Sequence, residues 1–519
     1  MRKERSIKNA ITAVISNFIV LLFGFILQKI FIKTLGDEYL GVNTLFTNII
    51  SMLSIADLGI GIAIIYSLYK PIAEGNKEEI KSLMRFYKKT YNIIALSVTL
   101  ISIALLPFLH FFVTTNLDIN LYLIFMLFVA DVVCSYLLSY KRSIIQADQR
   151  SYIINIVHIL YSAIMNTLLI ITLYTTKNYV LFLVIKCICR ILENIVISKY
   201  ANRIYPYINE SAKKLDKETY DSIFKKVKGL MFHKVGSFAV LGTDNIIISK
   251  FLGNIVVAYY SNYYMIINAA SLLLSQLFSS LTASVGNLLV KDTEEKSYNL
   301  YKKLMFANFW IYSFAATGMF VAMQPVIILW VGEERLLSLG VLAILVANFY
   351  MMGMRASIGV YKEAAGIYYE DRFIPVIESV LNIVISIILV KKMGLIGVFV
   401  GTMLSSFVVV FFSLPYFVYK RVFKRKMTEY YKLYFKYLLL TIVCVTLTYL
   451  IVSYILSAFS IVNPIISLIL GIVVATIVPN AIYIILFRRS EEYKYFLEIG
   501  KKAILKITER GGIHEENNG

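Results

Sequence analysis

The stretch VIKCICRILENIV (184–196) places three charged side chains inside an otherwise apolar segment. Lys186 and Arg190 are four residues apart and share one face of a helix, and Glu193 follows Arg190 by three residues. Two cations on one face could contact the phosphates of an anionic head group, with Glu193 tuning them or serving in ion coupling or gating. The same charges could instead tie their helix to a neighbour. The sequence leaves both interpretations open.

Two cysteines in the same stretch, Cys187 and Cys189, raise the question of metal or redox chemistry. Residues two apart point about 200° away from each other around a helix, so these thiols cannot bind one metal ion together. Cys134 and Cys444 also lie in apolar segments, and neither a disulfide scaffold nor a zinc site is expected. We therefore predict no metal and no cofactor, and packing roles for the cysteines.

Three further cations fall inside apolar stretches, where a charge costs about 2.5–3.5 kcal/mol and usually faces protein, ligand or water. Lys29, Lys234 and Arg355 are candidates to contact the same anionic head group. Lys29 and Lys234 could instead extend to the membrane interface. Arg355, in MMGMRASIG, lies deeper, which favours contact with a cavity.

Four acidic residues share this environment. Asp57, followed by Gly59 and Gly61 in SIADLGIG, and Asp244 are candidates for binding a coupling proton or sodium ion, or for gating. A hydrogen bond that holds neighbouring helices together is the alternative for each. Asp131 and Glu378 are interpreted as packing partners.

The composition defines the surroundings of these residues. The 519-residue chain is 59% hydrophobic and 16% charged, with a mean hydropathy of +0.72, whereas a soluble domain is about 45–50% apolar and about 25% charged. We therefore predict an all-α polytopic membrane protein.

A membrane-spanning helix needs about 20 mostly apolar residues. Fourteen segments are predicted to qualify. They are 9–32, 39–68, 91–113, 119–140, 152–174, 178–200, 229–249, 254–290, 304–331, 337–361, 373–390, 394–418, 433–457 and 461–487.

The basic residues give these segments an orientation. With the N-terminus inside, 41 of the 52 Lys and Arg residues fall on the inner side, 6 on the outer side and 5 within segments. Inner connections are rich in Lys and Arg, so both termini are predicted to be cytoplasmic. The net charge of +20 then reflects orientation and contact with anionic lipids rather than nucleic acid. The first segment is too long for a cleaved signal peptide.

An internal repeat organises the segments. Residues 31–41 join the first pair of segments, 249–264 join the seventh and eighth, and Gly36 matches Gly253 at an offset of 217. Six segments per repeat is an even number, so the two copies are related by a pseudo-two-fold axis along the membrane normal. The predicted organisation is a six-helix lobe (1–200), a cytoplasmic linker (201–228), a second six-helix lobe (229–418), helices 13 and 14 (419–487) and a cytoplasmic tail (488–519).

Three stretches resemble a known family: LGDEYLGVNTLFTNIISMLSIADLGIGIAIIYSLYKPIAEGN (35–76), GTDNIIISKFLGNIVVAYYSNYYMI (242–266) and SVLNIVISIILVKKMGLIGVFVGTMLSS (379–406). Nearly the whole chain is similar to the polysaccharide-transporter (Wzx-type flippase) branch of the multidrug/oligosaccharidyl-lipid/polysaccharide (MOP) exporter superfamily. The resemblance implies a V-shaped, MATE-like pair of lobes around a central cavity. It also implies translocation of undecaprenyl-pyrophosphate-linked oligosaccharide across the bacterial cytoplasmic membrane by alternating access, for capsule, O-antigen or exopolysaccharide synthesis. Proton or sodium coupling is expected by analogy.

Two other functions are weighed against this one. A multidrug cation antiporter of the same superfamily is disfavoured by the five cations within the segments. A membrane-embedded polysaccharide polymerase or ligase would carry a large outer loop, whereas the outer connections here are short. No nucleotide-binding or hydrolytic motif is present, so the protein is not expected to be an enzyme. The expected partners are the lipid-linked oligosaccharide, anionic lipids and possible polysaccharide polymerase or assembly machinery, without nucleic acid.

Overall fold

The computed structural model describes residues 2–113, 115, 117–215, 217, 219–221, 223, 224, 242–367 and 370–502, without the side chains of residues 2–4, 6, 7, 10, 55–59, 62 and 63. Regular secondary structure within these ranges is entirely helical. Among the described residues, ten helices are long and apolar enough to cross a membrane, or eleven if one bent pair forms a single span. The predicted all-helical, multi-span class is thereby confirmed.

As far as Asn209, the described residues form nine α-helices. They are α1 (Arg2–Leu35), α2 (Asp37–Leu53), α3 (Ile55–Glu74), α4 (Lys77–Leu105), α5 (Leu109–Phe112), α6 (Leu121–Tyr136), α7 (Tyr140–Ala147), α8 (Ser151–Thr176) and α9 (Tyr179–Ile204). Short 3₁₀ turns follow α4 (Leu106–Phe108) and α9 (Pro206–Asn209).

The second half begins with the described part of α10 (242–252). It continues with α11 (Asn254–Ser279), α12 (Thr282–Lys291), α13 (Glu294–Val331), α14 (Leu339–Gly353), α15 (Ala356–Ala364), α16 (Ile374–Met393), α17 (Leu395–Val408), α18 (Val410–Val418), α19 (Thr428–Ala458) and α20 (Pro464–Phe487). A 3₁₀ turn (Glu333–Arg335) precedes α14, and a π-helical turn (Tyr419–Phe423) follows α18. Residues 491–502 of the tail are also helical, here called α21.

Eleven of the fourteen predicted segments correspond to the ten spans and the bent pair α6–α7. The sixth segment lies within α9 and carries four charged side chains, Lys186, Arg190, Glu193 and Lys199, so composition alone does not identify it as a span. The second segment includes side chains at 55–59 that lie outside the description, and most of the seventh falls in 225–241, also outside it. The count of fourteen and the orientation stay predictions.

Polar residues fix the starts of many helices. An N-cap side chain that accepts a backbone N–H satisfies one of the donors left free in a first helical turn. Such caps are Asn76, Asn120, Asn178, Thr293, Ser338 and Asn463. These caps help to define where each apolar helix begins, so that neighbouring segments of similar composition form separate helices.

The backbone at the two repeat junctions is the same. Gly36 joins α1 to α2 with φ of 96°, and Gly253 joins α10 to α11 with φ of 90°. Both glycines donate their N–H to the carbonyl oxygen four residues earlier: Gly36 to Ile32 O at 2.9 Å and Gly253 to Ser249 O at 3.1 Å. Glycine tolerates positive φ at no steric cost, which explains its place at both junctions. The offset of 217 therefore corresponds to a real local repeat.

By packing, the chain divides into two units. Unit 1 comprises Met1–Asn262 with Arg372–Val410, and unit 2 comprises Tyr263–Asp371 with Phe411–Gly519. The predicted lobes group helices by sequence repeat rather than by packing, and their boundaries stay a prediction.

Unit 1 is built from helix pairs, with α1 on α8, α6 on α9 and α16 on α17. After α7, Asp148 joins three parts of this unit. Its carboxylate pairs with Arg5 at 3.5 Å and with Nε of Arg150 at 2.7 Å, and accepts a 2.6 Å hydrogen bond from Tyr205. Burial raises the pKa of Tyr205 above its usual value, so the phenol stays protonated and donates.

Unit 2 centres on α13, which packs against α14, α19 and α20. Its core is aromatic: Phe309 stacks on Tyr437 with ring centroids 4.2 Å apart. The Trp310 indole donates to Asn480 at 2.7 Å, which fastens α20 to α13. The last two predicted spans thus pack on the body of this unit.

Candidate functional site

The two cations of the opening stretch share one carboxylate. Asp131, on α6, lies 3.3 Å from Nζ of Lys186 and 3.4 Å from Nε of Arg190, both on α9. The side chains of Lys186 and Arg190 keep 26% and 31% of their exposure, whereas Asp131 keeps 11%. Because Lys186 and Arg190 are four residues apart on α9, both partly exposed cations reach the same mostly buried carboxylate, Asp131.

Glu193 belongs to a second pairing rather than to these cations. Its Oε1 lies 2.9 Å from Arg142 of α7 and 3.1 Å from Nδ1 of His158 of α8, and only 6% of its side chain is exposed. Arg142 also donates to Asn194 at 2.8 Å, and Asn194 donates to the Cys134 carbonyl at 2.8 Å. This pairing ties α9 to three neighbouring helices.

Together these side chains form one polar layer, hereafter the α9 network: Asp131, Arg142, His158, Lys186, Arg190, Glu193 and Asn194. It contains three cations and two carboxylates, a formal charge of +1 with His neutral. Ionised groups at membrane depth persist only when paired, and the surplus cation suits an anionic ligand.

A separate polar pocket in unit 1 surrounds Asp244 of α10. Thr402 of α17 donates to its carboxylate at 3.1 Å, and Asn382 of α16 donates to Thr402 at 2.9 Å. Thr243 completes the chain by donating to Asn382 Oδ1 at 3.3 Å. Asp244 is 5% exposed, and no cationic side chain pairs with it in the part of the chain described. A carboxylate, hydroxyl and amide oxygens grouped in this way could bind a proton or act as ligands to a hard cation such as sodium.

The other predicted site residues do not join these two groups. Lys29 is exposed on α1. Arg355 lies in unit 2, between α14 and α15. Its positive charge interacts electrostatically with the hydroxyl groups of Tyr430 and Tyr434 on α19. Lys234 lies outside the described residues.

Asp57 lies in α3, and its side chain is likewise outside the description. Glu378, interpreted from sequence as a packing partner, accepts a 2.5 Å hydrogen bond from Ser406 and links α16 to α17. Across the described ranges, no three His, Cys, Asp or Glu side chains come together as a metal site, and all four cysteines are free.

Sequence reasoning missed several members of these groups. Arg142 falls between the fourth and fifth predicted segments, yet its side chain reaches Glu193 from the short helix α7. His158 and Thr402 each lie in a largely apolar segment, and no motif surrounds either residue. Polar side chains recur within several of the apolar segments, and this pattern in the sequence indicates polar contacts between helices.

These features define the class of the protein: a multi-pass, all-helical protein of the cytoplasmic membrane with buried ion pairs between helices. A family profile described as "Polysaccharide biosynthesis protein" matches residues 6–283, more than half of the chain. The protein belongs to this family of polysaccharide biosynthesis proteins, and the predicted family is confirmed. No curated protein matches the sequence.

Solved structures show the fold. The structure named "Lipid II flippase MurJ, inward closed conformation" superposes with a TM-score of 0.64 at 18% identity, covering 92% of this chain and 99% of that one. An inward-facing multidrug resistance MATE transporter of the MOP superfamily gives 0.61 at 14% identity, covering 76% and 93%. A MOP superfamily transporter from Pyrococcus furiosus gives 0.56 at 13% identity, covering 82% and 97%. The fold is that of the MOP superfamily.

Proposed function

We propose that this protein is a flippase that translocates undecaprenyl-pyrophosphate-linked oligosaccharide units from the inner to the outer leaflet for synthesis of a surface polysaccharide. One observation carries the proposal: a member of a polysaccharide biosynthesis family shares its fold, over 92% of its length, with a structure named as a lipid flippase. The activity is transport by alternating access, without a covalent step on the substrate. Polymerase or assembly proteins that use the translocated unit are its proposed partners.

The α9 network is the proposed contact for the pyrophosphate. Lys186 and Arg190 already hold one carboxylate, Asp131, and remain partly exposed. An incoming pyrophosphate offers more negative charge and more acceptor oxygens than that carboxylate, and so displaces it. Asp131 is then an exchangeable counter-ion that keeps the two cations paired while no substrate is bound. Lys29, Lys234 and Arg355 are proposed as further contacts for the same head group.

Coupling is proposed at the pocket of Asp244. A carboxylate buried among hydroxyl and amide groups, without a cationic partner in the described residues, gains stability by binding a proton or a sodium ion. Binding that differs between the inward and outward states would bias the conformational equilibrium. Asp57 and Glu193 are the further candidates for gating.

The test compares four variants in a strain that lacks its own flippase, with surface polysaccharide as the readout. Lys186→Gln and Arg190→Gln are expected to lower export at least about tenfold, because a hydrogen bond to a charged group contributes about 1.5–3 kcal/mol. Asp131→Asn keeps both cations and is expected to retain export. Lys199→Gln, at an exposed position further along α9, is the matched control.

Two results would contradict the proposal. Equal loss of export in the Lys186, Arg190 and Asp131 variants, in step with loss of folded protein, would make the α9 network a purely structural tie. Wild-type protein that exports organic cations such as ethidium, but restores no surface polysaccharide, would favour the multidrug function.

A further inference from the structure

A surface cavity of about 350 Å³ lies at one end of unit 1. Its walls come from three places: the start of α2, the segment leading into α6, and the turn between α8 and α9. These connections are short and poor in Lys and Arg, and the orientation predicted from the sequence puts this end on the outer side of the membrane. The cavity is separate from the α9 network and from the pocket of Asp244.

One wall is aromatic and rigid. Tyr39 and Tyr179 meet edge to face with centroids 5.4 Å apart. Tyr179 is buried, its ring packs against Phe31 at 5.7 Å and its hydroxyl donates to Asn43 at 3.2 Å. Tyr39 is only partly buried. Tyr179 therefore holds Tyr39 in place, and Tyr39 offers its ring to an occupant of the cavity.

Two exposed amides, Asn120 and Asn178, also line the cavity. Asn120 Oδ1 accepts the N–H of Leu123 at 3.0 Å, and Asn178 Oδ1 accepts the N–H of Leu181 at 3.0 Å. Each cap fixes its amide in one orientation, because the oxygen is committed to the helix. Each Nδ2 retains two N–H donors, and neither takes a partner among the described residues. The cavity thus presents preorganised donors.

The charges of the cavity decide which ligand it suits. Exposed Asp118 and Lys177 both line it and balance each other. At the N-termini of α6 and α9 one backbone N–H is already taken by a side-chain oxygen, which leaves fewer donors for a phosphate. An anion would also meet the Asp118 carboxylate. The lining favours a neutral ligand with an apolar face and many hydroxyl groups.

We propose that this cavity binds a neutral sugar ring of the translocated oligosaccharide on the outer side of the membrane. Tyr39 packs against the C–H face of the ring, Asn120 and Asn178 donate to its hydroxyl oxygens, and Asp118 accepts from its hydroxyl groups. Concave sites with an aromatic wall and a few fixed polar groups are typical of small-ligand binding. This inference rests on the proposed function, because it takes the glycan to be the cargo.

The test uses the full-length protein in lipid nanodiscs and saturation-transfer-difference NMR. Methyl glucoside, methyl galactoside and N-acetylglucosamine are the neutral probes, and glucuronic acid and inorganic phosphate are the anionic probes. Asn120→Asp and Asn178→Asp keep the cap but remove the donors. Asn463→Asp is the matched control, because Asn463 caps α20 with a 2.9 Å bond to Ile465 N and does not line the cavity.

At least one neutral probe is expected to bind the wild type, and its affinity should fall about tenfold in Asn120→Asp and Asn178→Asp, about 1.4 kcal/mol. Asn463→Asp should bind like the wild type. Tyr39→Phe should bind, and Tyr39→Ala should not. Stronger binding of the anionic probes, no binding of any neutral probe, or equal binding by Asn178→Asp and Asn463→Asp would overturn the proposal.

Export of surface polysaccharide, measured for the same variants, separates the two proposals. Wild-type export together with absent sugar binding would overturn the cavity proposal and leave the flippase standing. Sugar binding that depends on Asn178, in a protein that restores no export, would support the cavity and refute the flippase.

Discussion

Gly41, on α2, lies against the backbone of Asn254, on α11, within unit 1. A Cβ added there would stand 2.0 Å from the carbonyl oxygen and 2.6 Å from the carbonyl carbon of Asn254, whereas ordinary contact begins at 3.4 Å. Both atoms belong to backbone, so no side-chain rotation relieves the clash. The two helices would have to separate by about 1.4 Å. Overpacking of this kind costs about 1–3 kcal/mol.

This cost falls on one conformation. Gly41 belongs to the first repeat pair and Asn254 to the second, and Gln28 donates to Asn262 across the same pairs at 2.6 Å. Under the proposed alternating access, Gly41→Ala destabilises the state in which these pairs meet and leaves a separated state unaffected. A difference of about 2 kcal/mol shifts such an equilibrium about 30-fold.

The assay measures the distance between spin labels at Lys33 and Lys250, which are exposed at the ends of α1 and α10, in a cysteine-free background. We expect Gly41→Ala to move the distance distribution to longer values. Gly318→Ala is the matched control, because a Cβ on that helical glycine meets no atom within 4 Å. An unchanged distribution together with an unchanged melting temperature in Gly41→Ala would refute the reasoning.

Three further predictions concern the polar contacts of unit 1. Arg142→Gln leaves the buried Glu193 carboxylate without its guanidinium partner and is expected to lower the free energy of unfolding by about 3–5 kcal/mol. Adding Glu193→Gln to the same chain should recover most of this loss. A melting temperature of Arg142→Gln close to that of the wild type would contradict the prediction. Asp244→Asn is expected to abolish any sodium- or proton-dependent rise in melting temperature; an intact ion dependence would rule out this carboxylate as the coupling site. Tyr205→Phe removes a 2.6 Å bond to Asp148 and should cost about 1.5–3 kcal/mol by chemical denaturation. Because burial raises the pKa of Tyr205, this difference should stay constant between about pH 6 and 9.

The fold class followed from sequence because length and apolarity alone identify most spans. Helix breaks did not follow in the same way. The 41° bend between α6 and α7 falls at LLS (137–139), where Leu138 takes φ of 64° without a Gly or Pro to signal it. Packing of α7 against α3 and α9 supports this local conformation, and such tertiary support has no local sequence signature.

The candidate site was predictable to the extent that it depends on one helix. A spacing of four places Lys186 and Arg190 on one face of α9, as the structure has it. Their partner Asp131 is 55 residues from Lys186 and 59 from Arg190 along the chain, and that pairing depends on the packing of α6 on α9. Glu193 is near the same face, yet its contacts come from α7 and α8. Spacing along one helix cannot specify which neighbour supplies the counter-ion.

Burial divides the α9 network into parts with different roles. Glu193 is 6% exposed and holds Arg142, His158 and, through Arg142, Asn194, so removing any of these leaves a buried polar group unpaired. Lys186 keeps 26% of its exposure, and when it is changed its partner Asp131 still has Arg190 as a counter-ion. Substitutions around Glu193 should therefore lower stability before transport, whereas substitutions at Lys186 should lower transport before stability. Measuring both quantities on the same variants distinguishes a substrate contact from a helix tie, which neither spacing nor charge alone can do.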